Sequence, residues 1–157
     1  RKSRPLMPVR CKLTKLLLSV ALAGLPLVAG GLEYRSVAEQ GAALYAAPQP
    51  QSKKLFLFSR YTPLELVFAN RQWAKVRDIS GGMGWIEARQ LAELRTVQVT
   101  AARAEIRARA EDTAPAVFAV ERDVVLELVE PPVGGWARVR HRDGKSGFIS
   151  IKNIWGL

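Results

Sequence analysis

Past residue 31 the apolar positions gather in short runs, each rich in branched and aromatic residues and each closed by turn chemistry. Leu55 to Phe58, Pro63 to Ala69, Trp73 to Asp78 and Met83 to Ala88 are such runs, broken at Asn70 and at Ser80-Gly81-Gly82. Runs of this length and composition predict β-strands rather than helices. The same succession returns downstream, with turns at Pro131 to Gly135 and at Arg142-Asp143-Gly144-Lys145. Asp-Gly there is the pair expected of a tight hairpin turn that needs positive φ. Five or so short strands in each half imply a small barrel.

The return is a repeat in register. At an offset of 62, Leu44 falls on Ile106, Phe56 on Phe118, Leu64 on Leu126, Glu65 on Glu127 and Val67 on Val129. One extra residue in the Pro131 to Gly135 turn moves the offset to 63, where Trp73 meets Trp136, Val76 meets Val139, Arg77 meets Arg140, Gly84 meets Gly147 and Ile86 meets Ile149. An insertion confined to a turn, with apolar spacing kept on both sides, identifies a duplicated unit. Each unit is about 60 residues, a size that buries only about 60% of its unfolded surface and is marginal alone. Mutual support is therefore expected. No Gly, Pro or Ser spacer lies between Leu94 and Val97, and Thr96 to Thr100 itself alternates like a strand. We assign residues 32–94 to the first unit and 95–157 to the second, docked as a rigid pair.

Ala101 to Asp112 has the composition of a helix. Its counterpart in the first unit contains Pro48 and Pro50, which would break one. Both segments are accordingly assigned to a short strand and a long irregular loop. Glu65 and Glu127, each between two leucines, are placed on the solvent face of their strands.

Residues 1–31 are of a different kind. Arg1, Lys2, Arg4, Arg10, Lys12 and Lys15 precede an uncharged apolar run from Leu16 to Gly30. That run is shorter than the ~20 residues of a spanning helix, and Pro26 followed by Ala29, Gly30 and Gly31 suits a peptidase site. The segment reads as a secretory signal cut near Gly30 or Gly31; the alternative is an uncleaved anchor helix, so membrane attachment, if any, runs through this segment. Cys11, the sole cysteine, precedes the apolar run and leaves with it. The remaining chain then has no thiol for a disulfide, a zinc site or a nucleophile. The leader also accounts for six of the 24 basic residues and none of the 14 acidic ones, which cuts the formal charge of +10 to a surplus of two in each unit. So small and even a surplus argues against a nucleic-acid surface, which concentrates its cations.

These residues resemble the bacterial Src-homology-3 (SH3b) family, whose pattern runs from an N-V-R-x-x-P motif through an apolar strand to G-W-x-x-V, a hairpin and G-W-V. The second repeat carries Ile106-Arg107, Gly135-Trp136-Ala137-Arg138-Val139 and Gly147-Phe148-Ile149; the first carries Pro48, Trp73 to Val76 and Gly84-Trp85-Ile86. The likeness covers residues 34–157. It departs at Tyr45, where the family usually has Arg, and at Ala110, where it usually has Pro. It departs again before the central strand, where Thr62 and Asp123 stand near the position of a usual glycine. The resemblance implies an all-β protein of two tandem SH3-like barrels in an exported, periplasmic chain. Barrels of this family serve peptidoglycan binding, protein binding and spacing.

Enzymatic chemistry has little to work with. His141, the only histidine, matches Asp78 and reads as a solvated hairpin residue without partners for a catalytic or metal role. No paired carboxylates suggest acid–base work, and no cofactor is expected. Binding is better served, because Trp73 and Trp136 open matched strands and Trp85 and Phe148 open the next ones. Two readings of these rings stand open: packing at the core or its rim, or, for Trp73 and Trp136, the wall of a groove faced by Tyr45 in one unit and Arg107 in the other. The candidate ligand-binding residues are Tyr45, Tyr61 and Trp73 in the first unit and Arg107, Arg109 and Trp136 in the second. The arginines suit a carboxylate, although Arg103, Arg107 and Arg109 alternate with Glu105, Glu111 and Asp112 in the manner of a solvated loop. Trp155, which matches Ala92, either packs between the units or projects as an anchor.

The expected function is that of a monomeric, non-catalytic module of the bacterial envelope that recognises peptidoglycan through its barrel loops. The alternative is an interaction or scaffold module holding a peptide segment of an envelope protein. Nucleic acid is not an expected partner.

Overall fold

The computed structural model describes residues 31–157, so the signal reading of the leader lies outside the described residues. In the first repeat the strands are β1 (Glu33–Val37), β2 (Ala42–Tyr45), β3 (Lys54–Phe58), β4 (Pro63–Ala69), β5 (Trp73–Arg77), β6 (Met83–Glu87) and β7 (Leu91–Ala92). The second repeat gives β8 (Thr96–Val99), β9 (Arg103–Arg107), β10 (Ala116–Glu121), β11 (Val125–Leu128), β12 (Trp136–Arg140), β13 (Ser146–Ser150) and β14 (Ile154–Trp155). Each set forms one curled antiparallel sheet, in the order β3-β2-β6-β5-β4-β1-β7 and, strand for strand, β10-β9-β13-β12-β11-β8-β14. The all-β pair of small barrels is thus as the sequence implied, with seven strands in each unit instead of about five. The excess includes the two-residue closing strands β7 and β14, each entered through a single 3-10 turn. Ala101 to Asp112 is β9 followed by an irregular loop, with no helix, as its proline-bearing counterpart indicated.

Duplication extends to every core position of the first barrel. Val37, Ala42, Leu44, Phe58, Leu64, Ala74, Val76 and Ile86 fill it, and at the same offsets Val99, Ala104, Ile106, Val120, Leu126, Ala137, Val139 and Ile149 fill the second. They lie inside because strand side chains alternate, so the apolar member of each pair of positions turns inward.

Two matched glycines let each sheet close. Gly84 on β6 and Gly147 on β13 sit where the central meander meets the N-terminal hairpin, at the pairings Tyr45 with Trp85 and Arg107 with Phe148. A Cβ on Gly84 would lie 2.7 Å from Leu44 Cγ and 2.9 Å from the Tyr45 carbonyl oxygen; one on Gly147 would lie 2.7 Å from both Ile106 Cγ2 and the Arg107 carbonyl oxygen. The first glycine of each G-W-I or G-F-I string is therefore a demand of close backbone approach.

The barrels meet along a polar seam. β4 packs on β8, and the three buried polar residues of the described chain, Ser36, Glu65 and Thr96, all lie on strands at this junction. Thr96 Oγ1 donates to the Tyr61 carbonyl at 2.7 Å, crossing between barrels, and Ser36 Oγ donates to the Leu94 carbonyl at 2.6 Å. Trp155 packs edge-on against Tyr34 of the first barrel, with centroids 5.2 Å apart. That contact settles the choice for Trp155 in favour of packing between units. The Arg95 guanidinium lies over the Tyr34 ring, 5.6 Å from its centre, and donates to the Gly156 carbonyl at 3.0 Å. Burial, and then the neighbouring Glu65 carboxylate, push the Tyr34 phenol above its ordinary pKa.

Glu65 corrects one expectation. It is 8% exposed, not solvated, and its carboxylate receives Arg77 from across the β4–β5 pairing at 3.0 and 3.2 Å. Only the Glu65 end of the outer side of β4, beside Tyr34 and near β8, is covered at the junction of the barrels; Phe68, farther along the strand, stays exposed. Its twin Glu127 pairs with Arg140 in the same register but remains more open.

Two measurements test this account. Gly84→Ala and Gly147→Ala should each destabilise the chain by roughly 1–3 kcal/mol, the cost of overpacking a closed contact, read as a lower midpoint in urea unfolding; unchanged midpoints would place the close approach elsewhere. A Tyr34→Ala, Trp155→Ala double-mutant cycle should return a coupling of about 0.5–1.5 kcal/mol, and a coupling near zero would remove the aromatic contact from the docking of the barrels.

Candidate functional site

Strand alternation builds two distinct outer faces on two matched cores. On β5, Ala74 and Val76 belong to the core, which leaves Trp73, Lys75 and Arg77 on the outer side. Cross-strand partners share a face, so the register can be followed across the sheet: Phe68 on β4 stands opposite Lys75, Lys75 opposite Trp85 on β6, Trp85 opposite Tyr45 on β2, and Tyr45 opposite Lys54 on β3. Two bulges set this row. One at Val67 brings Phe68 opposite Lys75, and one at Leu55 brings Lys54 opposite Tyr45.

The result is a band of rings and ammonium groups across five strands. Lys75 Nζ lies 6.0 Å from the Trp85 ring centre and Lys54 Nζ lies 6.0 Å from that of Tyr45, the reach of a cation–π contact. Phe68, 52% exposed, meets Trp85 edge-on at 6.2 Å. Among the described residues neither lysine has a carboxylate within ion-pair distance. Under the band, Tyr45 and Trp73 pack edge-on at 5.4 Å with Ala43 beside them, and they are only 7% and 8% exposed. These two candidates therefore form the floor of the face. Its accessible chemistry comes from Phe68, Lys75, Trp85 and Lys54.

On the second barrel the equivalent row runs Arg138, Phe148, Arg107, Ala116. Arg107 replaces Tyr45 and is committed: it donates to the Ala114 carbonyl at 2.6 Å and to Glu105 at 2.8 Å. Arg138 is paired with Glu130, and Arg109 with Glu111 at 2.7 Å. Trp136, half-buried, pairs with Ser150 and closes the Val133 to Trp136 turn. The first face offers rings with free ammonium groups; the second offers arginines already neutralised by their own acids.

The remaining candidate, Tyr61, lies apart from both faces. Its φ is +72°, its ring is 40% exposed, and the Arg60 guanidinium lies 4.7 Å from the ring centre. The proposed site residues thus fall in three places. Tyr45 and Trp73 come together; Arg107 and Trp136 share the matched region of the second barrel, with Arg109 in the adjoining loop; Tyr61 faces the junction.

Sequence reading missed Lys54, Phe68, Lys75 and the accessible part of Trp85. The bulges that complete the row leave no mark in the spacing.

His141 sits at the first position of the β12–β13 turn, as Asp78 does in the β5–β6 turn, and both turns close in the same way. His141 N–H donates to the Lys145 carbonyl at 2.8 Å, and Asp78 N–H to the Gly82 carbonyl at 2.9 Å. His141 Nδ1 lies 3.0 Å from Asp143 Oδ1. Among the described residues, no three His, Cys, Asp or Glu side chains converge as a metal site would require.

The Lys145 backbone N–H, and then His141, hold the Asp143 carboxyl down at about 2. A lowered carboxylate pKa stabilises the fold above the ordinary value of 3.8, and that contribution vanishes as pH falls from there through about 2. A carboxyl-carbon NMR titration should accordingly find the Asp143 midpoint near the lower value, with the Lys145 amide moving in step. A midpoint at the ordinary value would mean that the turn hydrogen bond is not kept in solution.

Comparison with known proteins bears on the whole described chain. The family model for the bacterial SH3 domain matches twice, over residues 38–93 and 100–156. No match is found among curated proteins. Similar solved structures include NlpC2 from Trichomonas vaginalis, at 15% identity and a TM-score of 0.37, covering 80% of this chain and 48% of that one. NlpC1 from the same organism is similar at 17% identity and a TM-score of 0.36, with 79% and 45% covered. The chain spans about half the length of these two structures. With both repeats matched in full register, this chain belongs to the bacterial SH3 domain family, as a tandem pair.

Proposed function

We propose that the protein is a non-catalytic module of the bacterial envelope that binds peptidoglycan through the outer face of its first barrel. The family is one of binding domains, and this chain carries two copies. One observation supports the choice of face: over a floor of Tyr45 and Trp73, Phe68 and Trp85 expose aromatic surface flanked by Lys75 and Lys54, which no acid among the described residues neutralises. Aromatic rings stack on the apolar faces of sugars, and ammonium groups take the carboxylates of stem peptides. The second barrel, whose matched arginines are spent on Glu105, Glu111 and Glu130, then serves to hold the first. The export reading of the leader places such a module in the periplasm, where wall material is within reach.

One observation favours the alternative of an envelope protein partner. β3 is an edge strand whose Leu55, Phe56 and Leu57 are all exposed, and an apolar edge is what strand addition uses.

Co-sedimentation with protein-free sacculi separates the two. The native protein should pellet with sacculi, and Trp85→Ala and Lys75→Ala should each weaken retention about tenfold, about 1.4 kcal/mol, whereas Arg138→Ala on the second barrel should not. Protein that stays in the supernatant at every salt concentration rules out wall binding and leaves the protein-partner reading.

A further inference from the structure

A cleft of about 530 Å³ opens between the barrels, within the range of sites that hold small ligands. Arg60, Tyr61 and Leu94 line it from one side and Asp123, Val124 and Arg142 from the other. A second hollow of about 480 Å³ continues it past Arg60, Asp123 and Val125 toward β3.

Two features mark the cleft as more than a seam. The first is backbone conformation. Tyr61 and Asp123 are the non-glycine residues with positive φ among those described, at +72° and +68°, and they are matched positions of the two repeats. Glycine would adopt this conformation without strain. Instead each position holds a side chain that lines the cleft, with the backbone pinned by Tyr61 N–H to the Val37 carbonyl at 2.8 Å and Asp123 N–H to the Val99 carbonyl at 2.9 Å. Strain kept at a site, against an easy alternative, points to a use for the side chains.

The second feature is charge. Arg60 stacks on Tyr61, and neither it nor Arg142 has a carboxylate within ion-pair distance among the described residues. Glu127, which also lines the cleft, is spent on Arg140 at 2.8 and 3.1 Å. Asp123 receives Gln98 Nε2 at 3.1 Å and keeps further acceptor capacity. Two guanidinium groups, one carboxylate and the apolar side chains of Leu94, Val124 and Val125 suit a ligand with an anionic end, N–H donors and an apolar body.

We propose that this cleft binds the free carboxyl end of a short apolar peptide, with Arg60 and Arg142 taking the carboxylate and Asp123 accepting from peptide N–H groups. Tyr61 holds Arg60 in place by stacking, and Leu94, Val124 and Val125 pack the last side chain. The site is separate from the aromatic face of the first barrel.

The test is an NMR titration of the ¹⁵N-labelled full chain with acetyl-Ala-Ala-Leu as the free acid and as its C-terminal amide. The free acid should shift the amide signals of Arg60 to Thr62, Asp123 to Val125 and Arg142, and the amidated peptide should bind at least tenfold more weakly. Arg60→Gln and Arg142→Gln should each lose about tenfold in affinity. Tyr61→Gly should keep or raise the thermal midpoint, because its backbone suits glycine, while weakening the peptide several-fold. Equal binding of acid and amide, shifts confined to other residues, no shift at millimolar peptide, or full affinity in Tyr61→Gly would each overturn the proposal. The titration contains no wall material, so its failure and the failure of wall binding are distinguishable.

Discussion

The approach of two backbones at Gly84, repeated at Gly147, is the constraint on which each barrel rests. The N-terminal hairpin joins the central meander through the single cross-strand pair Tyr45 with Trp85, or Arg107 with Phe148. That pair forms only because the preceding residue on β6 or β13 has no side chain to strike Leu44 or Ile106. Inside, the contact sets the leucine or isoleucine over the glycine and completes the core. Outside, it sets position 45 or 107 beside the aromatic residue that follows the glycine. Core and outer face are thus two consequences of one missing Cβ.

The two sides of the sheet answer to different physics, which is why the repeats agree inside and differ outside. Core positions must fill a fixed volume in contact with one another, and a change of one methylene is felt; the eight core positions of the first barrel accordingly keep aliphatic or aromatic counterparts in the second. Outer positions face water or a partner and are free to change chemistry at little cost to folding. The first barrel uses that freedom for rings and lysines, and the second for arginines with acids at hand. Where the outer side of one barrel is covered by the other, freedom ends again. Glu65 needs Arg77, and Thr96 needs the Tyr61 carbonyl, because an unpaired polar group buried there would cost stability.

How much of this could be read in the sequence follows from the same division. Offsets of 62 and 63 gave the duplication, the cores and the placing of the one-residue insertion in a turn, since core chemistry is recorded in residue type. Pro48 and Pro50 overrode the helical composition of Ala101 to Asp112, because the repeat forces both segments into one conformation. Glu65 was misplaced for a definite reason: alternation tells which side of a strand a residue takes, but not that a second barrel covers that side at Glu65. Tyr45 and Trp73 were read as candidate ligand contacts. Their rings lie on the outer side as alternation requires, yet they pack laterally on each other, and lateral packing on a sheet surface depends on register.

Register is the part that spacing does not encode. The bulges at Val67 and Leu55 each shift one side of a ladder by a residue, so Phe68 instead of Val67 joins Lys75, and Lys54 instead of Leu55 joins Tyr45. The second barrel has the equivalent bulge at Val117 but carries its extra residue in the turn between β11 and β12, where Pro131 and Pro132 lie, and its row ends on Ala116. A single shift in a ladder therefore decides whether a ring or an aliphatic side chain stands beside a cation. The chemistry offered at the surface is set by the backbone irregularity as much as by the residue types.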